Sequence, residues 1–457
     1  MFRIYRRIAV LIICLTIFLS VLLPYSQNSA FAAHGNVSIV HDSSYSDNPS
    51  TVFTYNTLGK NKRKTAVKIN SNHYSEAYIT YHITAGEAYQ FYVVSAWVKT
   101  EDYKLQKNSG YGISIMVDDP SDHNSSYVYS DMIHKNTDEI PGDDRGWVKL
   151  RRVVKLDSQG KLTFQLRTGW SKNKMKGTVL FDQIKVTPIK EDKKYLLYTS
   201  TDGTIRMVFR KADVVRSGIS SQKISDWLDV YAKLRQSMKW LIGNSEPYEG
   251  TTDFILTEKL THYGLAGNPI YINCAEVSNE LSKIELDATA DHNNLLWGLV
   301  HEMGHTFDGV ASNKLDLRWV FDDEFFATLK CVYSFYDNGY GFGGNSFVGE
   351  EVYLNFSKAL SLSSGVYNYE GFMFQLLEIM NTLDSNGGWV ALQKTFISFK
   401  ELPMEDVPKT NIDRFMLFIK LLSENSGLEI EKQFTPKEWK VLINKFTYDG
   451  LNYQIID

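Results

Sequence analysis

The chain has 457 residues, of which 43% are hydrophobic and 13% aromatic, and it carries a formal net charge of -4. This composition excludes a disordered protein, and the length predicts two or more domains with substantial cores. The charge offers none of the basic surface that nucleic-acid recognition requires, so we expect no nucleic acid among the partners.

The first residues have the pattern of a secretory signal peptide. Three arginines precede an apolar run over residues 8–23, and the small-residue sequence Ala-Phe-Ala ends at Ala32. This order predicts a cleaved signal peptide over residues 1–32 and a secreted, extracellular protein. The alternative is an uncleaved membrane anchor, because the apolar run approaches the length that spans a bilayer. No later segment is apolar enough to cross one, so we expect no stable membrane insertion after cleavage.

Two cysteines remain after this cleavage, Cys274 and Cys331. Two are too few for a disulfide framework, so a hydrophobic core must stabilise an exported protein of this size. The two thiols can form one bridge or stay free. Cys331 lies in an apolar, helical segment, which favours a small buried side chain over a catalytic thiol.

Residues 34–190 consist mainly of short segments with strand character. The segments are rich in β-branched and aromatic residues, and clusters of Gly, Asp, Asn and Ser separate them. They include residues 77–80, 89–99, 147–150, 162–166 and 179–186. Many short strands with turn signals between them predict an all-β sandwich.

Several motifs in this region resemble those of jelly-roll carbohydrate-binding modules, which are appended to secreted glycan-active enzymes. The motifs are Ala85-Gly86 before Tyr89, then Ser95-Ala96-Trp97-Val98-Lys99, then Trp147, and finally Phe181-Asp182 before Ile184. The resemblance implies a jelly-roll fold and a glycan ligand for the N-terminal domain. Tyr127, Tyr129 and Trp170 are candidates for stacking on sugar rings if they are exposed, and the alternative for each is a place in the sandwich core.

A charged stretch over residues 190–194 marks a predicted linker, and residues 195–457 form the second predicted domain. Strand patterns occur at residues 195–198, 205–209, 253–256 and 269–273, and a helical pattern covers residues 224–242. From Asn293 onward the pattern is mainly helical. The second domain is therefore predicted to be α+β with a helical C-terminal half.

The sequence His301-Glu302-Met303-Gly304-His305 carries the clearest chemical signal. Apolar residues at helical spacing around this motif predict a helix, and the two histidines lie on its other face. The apolar residues are Leu295, Leu296, Leu299, Val300, Met303 and Phe307. Two imidazoles one helical turn apart can bind one cation, and zinc is the ion that this arrangement suits. Glu302 lies beside them as the predicted general base.

Zinc requires a third protein ligand, and we assign this role to Glu324. The chain lacks the glycine and histidine that a metzincin has after this motif. Glu324 begins a strongly apolar helix, and a carboxylate among phenylalanines is costly to bury unless a cation compensates it. Asp308 is the alternative, since it follows His305 by three residues. Asp322 and Asp323 are expected to cap the helix or to orient a histidine.

Residues 195–450 resemble the enhancin-type metallopeptidases, a glutamate-zincin family associated with cleavage of mucins and other heavily O-glycosylated proteins. The resemblance rests on the metal helix, on Glu324 within its apolar helix, on residues 267–271, and on residues 374–376 followed by Gly388-Trp389. It implies a zincin fold, zinc as the cofactor and a glycoprotein substrate.

The spacing of the metal motif also resembles that of the glutamate-zincin aminopeptidases. Tyr369-Glu370-Gly371 matches the place of their oxyanion-stabilising tyrosine, so we assign this role to Tyr369, with Tyr367 as its competitor and core packing as the alternative. The Gly-x-Met-Glu-Asn strand that holds a free amino group in those enzymes is missing before His301, which favours an endopeptidase.

The sequence thus predicts a secreted zinc-dependent endopeptidase that acts on a protein or glycoprotein. Two alternatives remain open. One is an aminopeptidase, and the other is a glycan-binding adhesin in which the zincin domain is a non-catalytic scaffold.

Overall fold

A computed structural model describes residues 37–106, 112–117, 146–169, 173–247, 250–257, 260, 263–274, 277, 281, 297–308, 318–339, 376 and 388–448. Nine strands precede residue 190 within these described ranges: β1 (Ile39–Ser46), β2 (Val52–Leu58), β3 (Lys64–Ser75), β4 (Ala77–Ile83), β5 (Phe91–Leu105), β6 (Ile113–Val117), β7 (Trp147–Lys155), β8 (Leu162–Thr168) and β9 (Met175–Pro188). The β-rich N-terminal region that the sequence predicts is confirmed.

These nine strands form two antiparallel sheets, with the orders β1-β4-β8-β6 and β2-β3-β9-β5-β7. The sheets pack face to face through a buried core. Ile79 and Phe164 come from the four-stranded sheet, and Val94 and Phe181 from the five-stranded sheet. In each strand, side chains that point to one face alternate with side chains that point to the other, so every second residue of β4 and β8, and of β5 from Tyr92 to Val98, contributes to this core.

A third sheet follows, which we call the mixed sheet. Its strands are β10 (Tyr195–Thr199), β11 (Ile205–Arg210), β12 (Thr252–Thr257), β13 (Gly264–Leu265) and β14 (Ile270–Asn273), in the order β10-β11-β12-β14-β13. The neighbours β11 and β12, and β12 and β14, are parallel, whereas β13 pairs antiparallel with β14. β13 is an edge strand of the mixed sheet.

Helices cover one face of the mixed sheet. They are α1 (Lys211–Ser217), α2 (Ser221–Leu241), α3 (Trp297–Thr306), α4 (Asp323–Asn338), α5 (Trp389–Glu401), α6 (Asn411–Ser426) and α7 (Pro436–Tyr448). Phe254 and Ile270 of the sheet pack into one buried core with Leu228 of α2 and Phe326 of α4. From residue 297 onward all described regular elements are helical, which agrees with the sequence prediction.

The opposite face of the mixed sheet packs against the five-stranded sheet of the N-terminal sandwich. The two faces share a buried apolar cluster, which we call the interdomain cluster: Phe91, Val93, Val153, Ile189, Val208, Ile255, Leu260 and Tyr271. The predicted linker, residues 190–194, follows this cluster directly, since a short 3-10 helix over Ile189–Glu191 buries Ile189 in it. The described part of the chain is therefore a stack of four layers: two sandwich sheets, the mixed sheet and the helices.

Buried charges reinforce this contact between the sandwich and the mixed sheet. Asp253 of β12 is fully buried and pairs with Lys155 of β7 and with Arg206 of β11. Arg206 binds it in a bidentate manner, through Nε at 2.6 Å and Nη2 at 2.8 Å. Burial alone would raise the pKa of Asp253, but the two cations outweigh it and hold the pKa below its ordinary value. A buried carboxylate is tolerated only when it is paired in this way.

Candidate metal centre

Helix α3 presents the two predicted histidine ligands. Its buried face consists of Leu299, Val300 and Met303, which pack into the helical core. His301 and His305 lie one turn apart on another face of the same helix. The predicted apolar stripe is thus confirmed for the residues from 297 onward, and Leu295 and Leu296 lie outside the described residues.

The structure brings His301, His305 and Glu324 together. The Nε2 atoms of the two histidines are 3.1 Å apart, and His301 Nε2 lies 2.9 Å from Glu324 Oε2. His305 Nε2 is 3.7 Å from the other oxygen of Glu324. All the candidate ligand atoms lie within 4.8 Å of one another, so these three side chains can hold a metal ion.

These distances fit zinc well. Tetrahedral bonds of the usual Zn–N and Zn–O lengths place two ligand atoms about 3.3 Å apart, which lies within the observed range. Two imidazoles and one carboxylate are also a donor set of catalytic zinc sites, which leave one coordination position open. The geometry and the chemistry of the donors therefore both suit this ion.

Glu324 reaches the histidines from the first turn of α4. The side chain of Asp322 caps this helix, since its Oδ1 accepts a hydrogen bond of 2.9 Å from the N–H of Phe325. The expected cap is therefore confirmed. The expected burial of Glu324 is wrong, because its side chain is 56% exposed. The phenylalanines around it in sequence point into the core from another face of the helix, and the carboxylate faces the histidines.

A close contact between α3 and α4 sets the geometry of the three side chains. A Cβ atom on Gly304 would lie only 2.7 Å from the carbonyl oxygen of Ala327, so no side chain fits between the helices at this point. One residue further along α4, Thr328 Oγ1 lies 3.4 Å from His301 Nδ1. With Nε2 directed at a metal, a neutral imidazole carries its proton on Nδ1 and can donate it to this hydroxyl.

Glu302 lies next to the metal centre, against the edge of the mixed sheet. It is partly buried, and this burial raises its pKa to about 7, an effect that the charge of Glu324 increases. His301 and a hydrogen bond from the backbone N–H of Ala266 act in the opposite direction. A carboxyl group with a pKa near neutrality is well matched to proton transfer at neutral pH.

His305 is buried at the bottom of the centre. Burial, followed by the charge of His301, lowers its pKa to about 4. At neutral pH its imidazole is therefore uncharged. An uncharged imidazole is the form that binds a metal ion, so His305 requires no deprotonation before it can act as a ligand.

Asp308, the alternative third ligand, is engaged elsewhere. Its carboxylate is fully buried, where Lys330 of α4 forms an ion pair with it at 2.5 Å and Trp319 Nε1 donates a hydrogen bond of 3.1 Å. Lys330 is fully buried as well. This pair joins the end of α3 to the middle of α4, so the position of Asp308 indicates a structural role.

Several predicted features lie outside the described residues. They are the signal peptide over residues 1–32, the oxyanion donor Tyr369 with its competitor Tyr367, and the candidate sugar-stacking residues Tyr127, Tyr129 and Trp170. Cys274 and Cys331 are described, and both are buried and unbridged. Among the described residues, no helix has the length and apolar character needed to span a membrane.

No protein-family model and no curated protein matches the chain. A functionally unknown conserved protein from Bacillus anthracis str. Ames matches 79% of this chain and 74% of its own, with 12% identity and a TM-score of 0.42. A metallopeptidase from Bacteroides thetaiotaomicron matches 77% of this chain and 60% of its own, with 15% identity and a TM-score of 0.38. The CBM22-1 xylan-binding domain from Paenibacillus barcinonensis matches 36% of this chain and 93% of its own, with 12% identity and a TM-score of 0.19. At these values the likenesses assign no activity to the chain, and function must be argued from the metal centre.

Proposed function

We propose that the protein is a zinc-dependent peptidase. The observation that carries this proposal is the position of the Glu302 carboxylate beside a cluster of three metal-binding side chains, His301, His305 and Glu324. A site that only stored or structurally bound a metal would have no use for a further carboxyl group that lies against the metal ligands and accepts a hydrogen bond from Ala266.

Each residue has a distinct role in the proposed reaction. His301, His305 and Glu324 hold the zinc ion, which when bound polarises the scissile carbonyl and increases the acidity of water. Glu302 accepts the proton of the attacking water and passes it to the nitrogen of the leaving amine. The N–H of Ala266 orients the Glu302 carboxylate for both transfers.

The test uses the purified full chain. Wild-type protein should contain about one zinc per chain and cleave a library of peptides, and removal of the metal with a chelator should abolish the cleavage until zinc is restored. The Glu302→Gln variant should bind zinc like the wild type and cleave nothing, because the amide cannot accept the proton. Glu101→Gln, which changes an exposed carboxylate near the far end of β5 in the sandwich, is the matched control. Full activity of Glu302→Gln would refute the mechanism.

We also propose that the enzyme cuts within polypeptide chains. This follows from the missing Gly-x-Met-Glu-Asn strand, since β13 and the turn after it read Gly264-Leu265-Ala266-Gly267-Asn268 and contain no acidic residue that could bind an amino terminus. Peptides with acetylated amino termini should therefore be cleaved as fast as free ones. Cleavage restricted to free amino termini would favour the aminopeptidase alternative.

Glycoproteins are the proposed substrate class, and a described surface feature supports a glycan ligand on the sandwich. Tyr45 of β1 is 47% exposed and stacks on Tyr78 of β4, with ring centroids 5.0 Å apart. The Arg167 guanidinium lies 4.6 Å from the Tyr78 ring centroid. Exposed aromatic faces beside polar groups suit the faces of sugar rings.

This substrate proposal can be tested separately from catalysis. Full-length Glu302→Gln protein should bind immobilised mucin, and an added Tyr45→Ala change should weaken the binding. Tyr74→Ala is the control, because Tyr74 is 40% exposed and also lies near a cation, Lys176. Mucin binding that neither change alters would leave this surface without a role.

The proposed substrates are extracellular, which agrees with the signal peptide that residues 1–32 predict. Amino-terminal sequencing of protein recovered from the growth medium should give a chain that begins at residue 33. A chain that stays with the cell membrane and retains residues 1–32 would favour the anchor alternative.

A further inference from the structure

We propose that the N-terminal sandwich is a working part of the catalytic unit, and that Lys155 is the residue through which it positions the strand beside Glu302. The expected effect on kcat rests on the proposed function. The expected effect on the backbone of this strand can be measured in a protein without any activity. Lys155 belongs to the sandwich and does not reach the metal centre, so it is a positioning residue.

The strand in question is β13, which together with the turn after it forms one wall of the metal centre. A Cβ atom on Gly264 would lie 2.6 Å from Glu302 Cγ, so the backbone of β13 is in direct contact with the side chain of the general base. Two residues later, the N–H of Ala266 donates a hydrogen bond to the same carboxylate. A shift of β13 would therefore shift Glu302.

β13 and the turn after it have little support from the hairpin that β13 forms with β14. β13 has two residues and lies at an edge of the mixed sheet, where its pairing consists of Gly264 opposite Ile272 and Leu265 opposite Tyr271. β14 is held in the mixed sheet by its parallel pairing with β12, but the two residue pairs of β13 give this short strand little stability. Contacts from outside the hairpin must therefore help to fix the position of β13 and of the turn after it.

The sandwich provides such contacts. Lys155 Nζ donates a hydrogen bond of 2.9 Å to Oδ1 of Asn268, which lies in the turn that connects β13 to β14. Leu265 and Tyr271, the second pair of the hairpin, pack against the interdomain cluster, to which the sandwich contributes Phe91, Val93 and Val153. The hairpin is thus held by one polar and one apolar contact from the same sandwich face.

Lys155 is itself firmly held, which makes it an effective support. Its side chain is only 6% exposed, and its ammonium group forms an ion pair with the fully buried carboxylate of Asp253. A buried ammonium that is paired in this way cannot move without leaving Asp253 poorly compensated. Lys155 therefore fixes the turn relative to β7, and Ala266 at the start of this turn fixes the Glu302 carboxylate.

The decisive variant is Asn268→Ala, because it removes the acceptor in the turn and leaves the pair of Lys155 with Asp253 intact. We expect unchanged zinc content and KM, and a kcat reduced by roughly tenfold or more, since small misplacements of a catalytic group have effects of this size. We also expect faster hydrogen exchange of the amides of residues 264–266. Asn268→Asp retains the acceptor oxygens and should restore both quantities.

Lys155→Met should have the same two effects, and the double variant with Asn268→Ala should have a kcat no lower than that of the more severe single variant. Lys149→Met is the matched control, since Lys149 lies on the same strand and the same sheet face as Lys155. It should leave exchange and kcat unchanged.

Wild-type exchange at residues 264–266 in Asn268→Ala would overturn this inference whether or not the protein is a peptidase. A wild-type protein without peptidase activity, but with the expected exchange pattern, would instead refute the proposed function alone.

Discussion

Replacing Gly304 by alanine should weaken zinc binding without removing any ligand. The new Cβ would lie 2.7 Å from the carbonyl oxygen of Ala327 and 3.1 Å from its Cα. A carbon and a carbonyl oxygen approach to about 3.3 Å at the closest, so α3 and α4 would have to separate by roughly 0.6 Å. Alanine favours a helix over glycine by about 1 kcal/mol, but overpacking costs about 1–3 kcal/mol, so the clash should dominate.

This separation would act directly on the metal centre. Glu324 belongs to α4 and both histidines to α3, so any gap between the helices lengthens the distance of 2.9 Å between His301 and Glu324. Zinc sites tolerate deviations of about 0.2 Å in their bond lengths, which is less than the expected movement. We therefore expect the zinc dissociation constant to rise by roughly 10- to 100-fold, together with a lower melting temperature.

Competition with a fluorescent zinc chelator measures the affinity, and Gly264→Ala is the informative control. Its Cβ would meet the Glu302 side chain and no metal ligand, so this variant should retain wild-type zinc affinity while its kcat falls. Wild-type zinc affinity in Gly304→Ala would show that the contact between α3 and α4 does not define the ligand geometry.

Three further predictions concern single residues. Glu324→Ala should lower zinc occupancy, measured by metal analysis, much more than Asp308→Ala does. Asp308→Ala should instead lower the free energy of unfolding, measured by urea denaturation, by about 3–5 kcal/mol, because it leaves Lys330 buried and unpaired. The reverse pattern would make Asp308 the ligand. In metal-free protein the pKa of Glu302 is raised from 4.5 to about 7, so its contribution to stability is present below pH 4.5 and lost as the pH rises through 7. Glu302→Gln should accordingly be the more thermostable protein above pH 7, with the difference vanishing below pH 4.5, and a difference independent of pH would contradict the raised pKa. Tyr369→Phe should lower kcat by about 10²–10³ with little change in KM or zinc content, and a wild-type kcat would assign this tyrosine to packing.

The sequence was sufficient to predict the parts of the metal centre that follow from local spacing. His301 and His305 lie four residues apart, and this interval places them on one helix face whatever the rest of the chain does. The cap at Asp322 also follows from local chemistry, because a short acidic side chain before an apolar helix is typical of an N-cap. The apolar helix that begins near Glu324 also predicts this residue as a neighbour of the histidines, although the expected burial of its carboxylate is wrong.

Contacts between distant segments could not be predicted in this way. Thr328 lies one turn after Glu324 on α4, and this spacing could have indicated that it faces the same centre. The roles of Gly264 and Ala266 had no such signal, because they depend on how a two-residue edge strand lies against α3. The pair of Asp308 and Lys330 is equally nonlocal, since it requires two helices to be packed before either partner can be recognised.

One nonlocal feature was nevertheless present in the sequence as a pattern. A strand that is covered on one face alternates between apolar and polar residues, but the β5 residues from Phe91 to Ala96 are buried without interruption. Tyr92 and Val94 point into the sandwich, whereas Phe91 and Val93 point into the interdomain cluster. The unbroken run of apolar residues from Phe91 to Val94, in a region of antiparallel sheets, thus indicates that a further layer covers the outer face. Because the mixed sheet is that layer, the sandwich is attached by its broad face to the sheet that carries β13, and its influence on Glu302 follows from this packing.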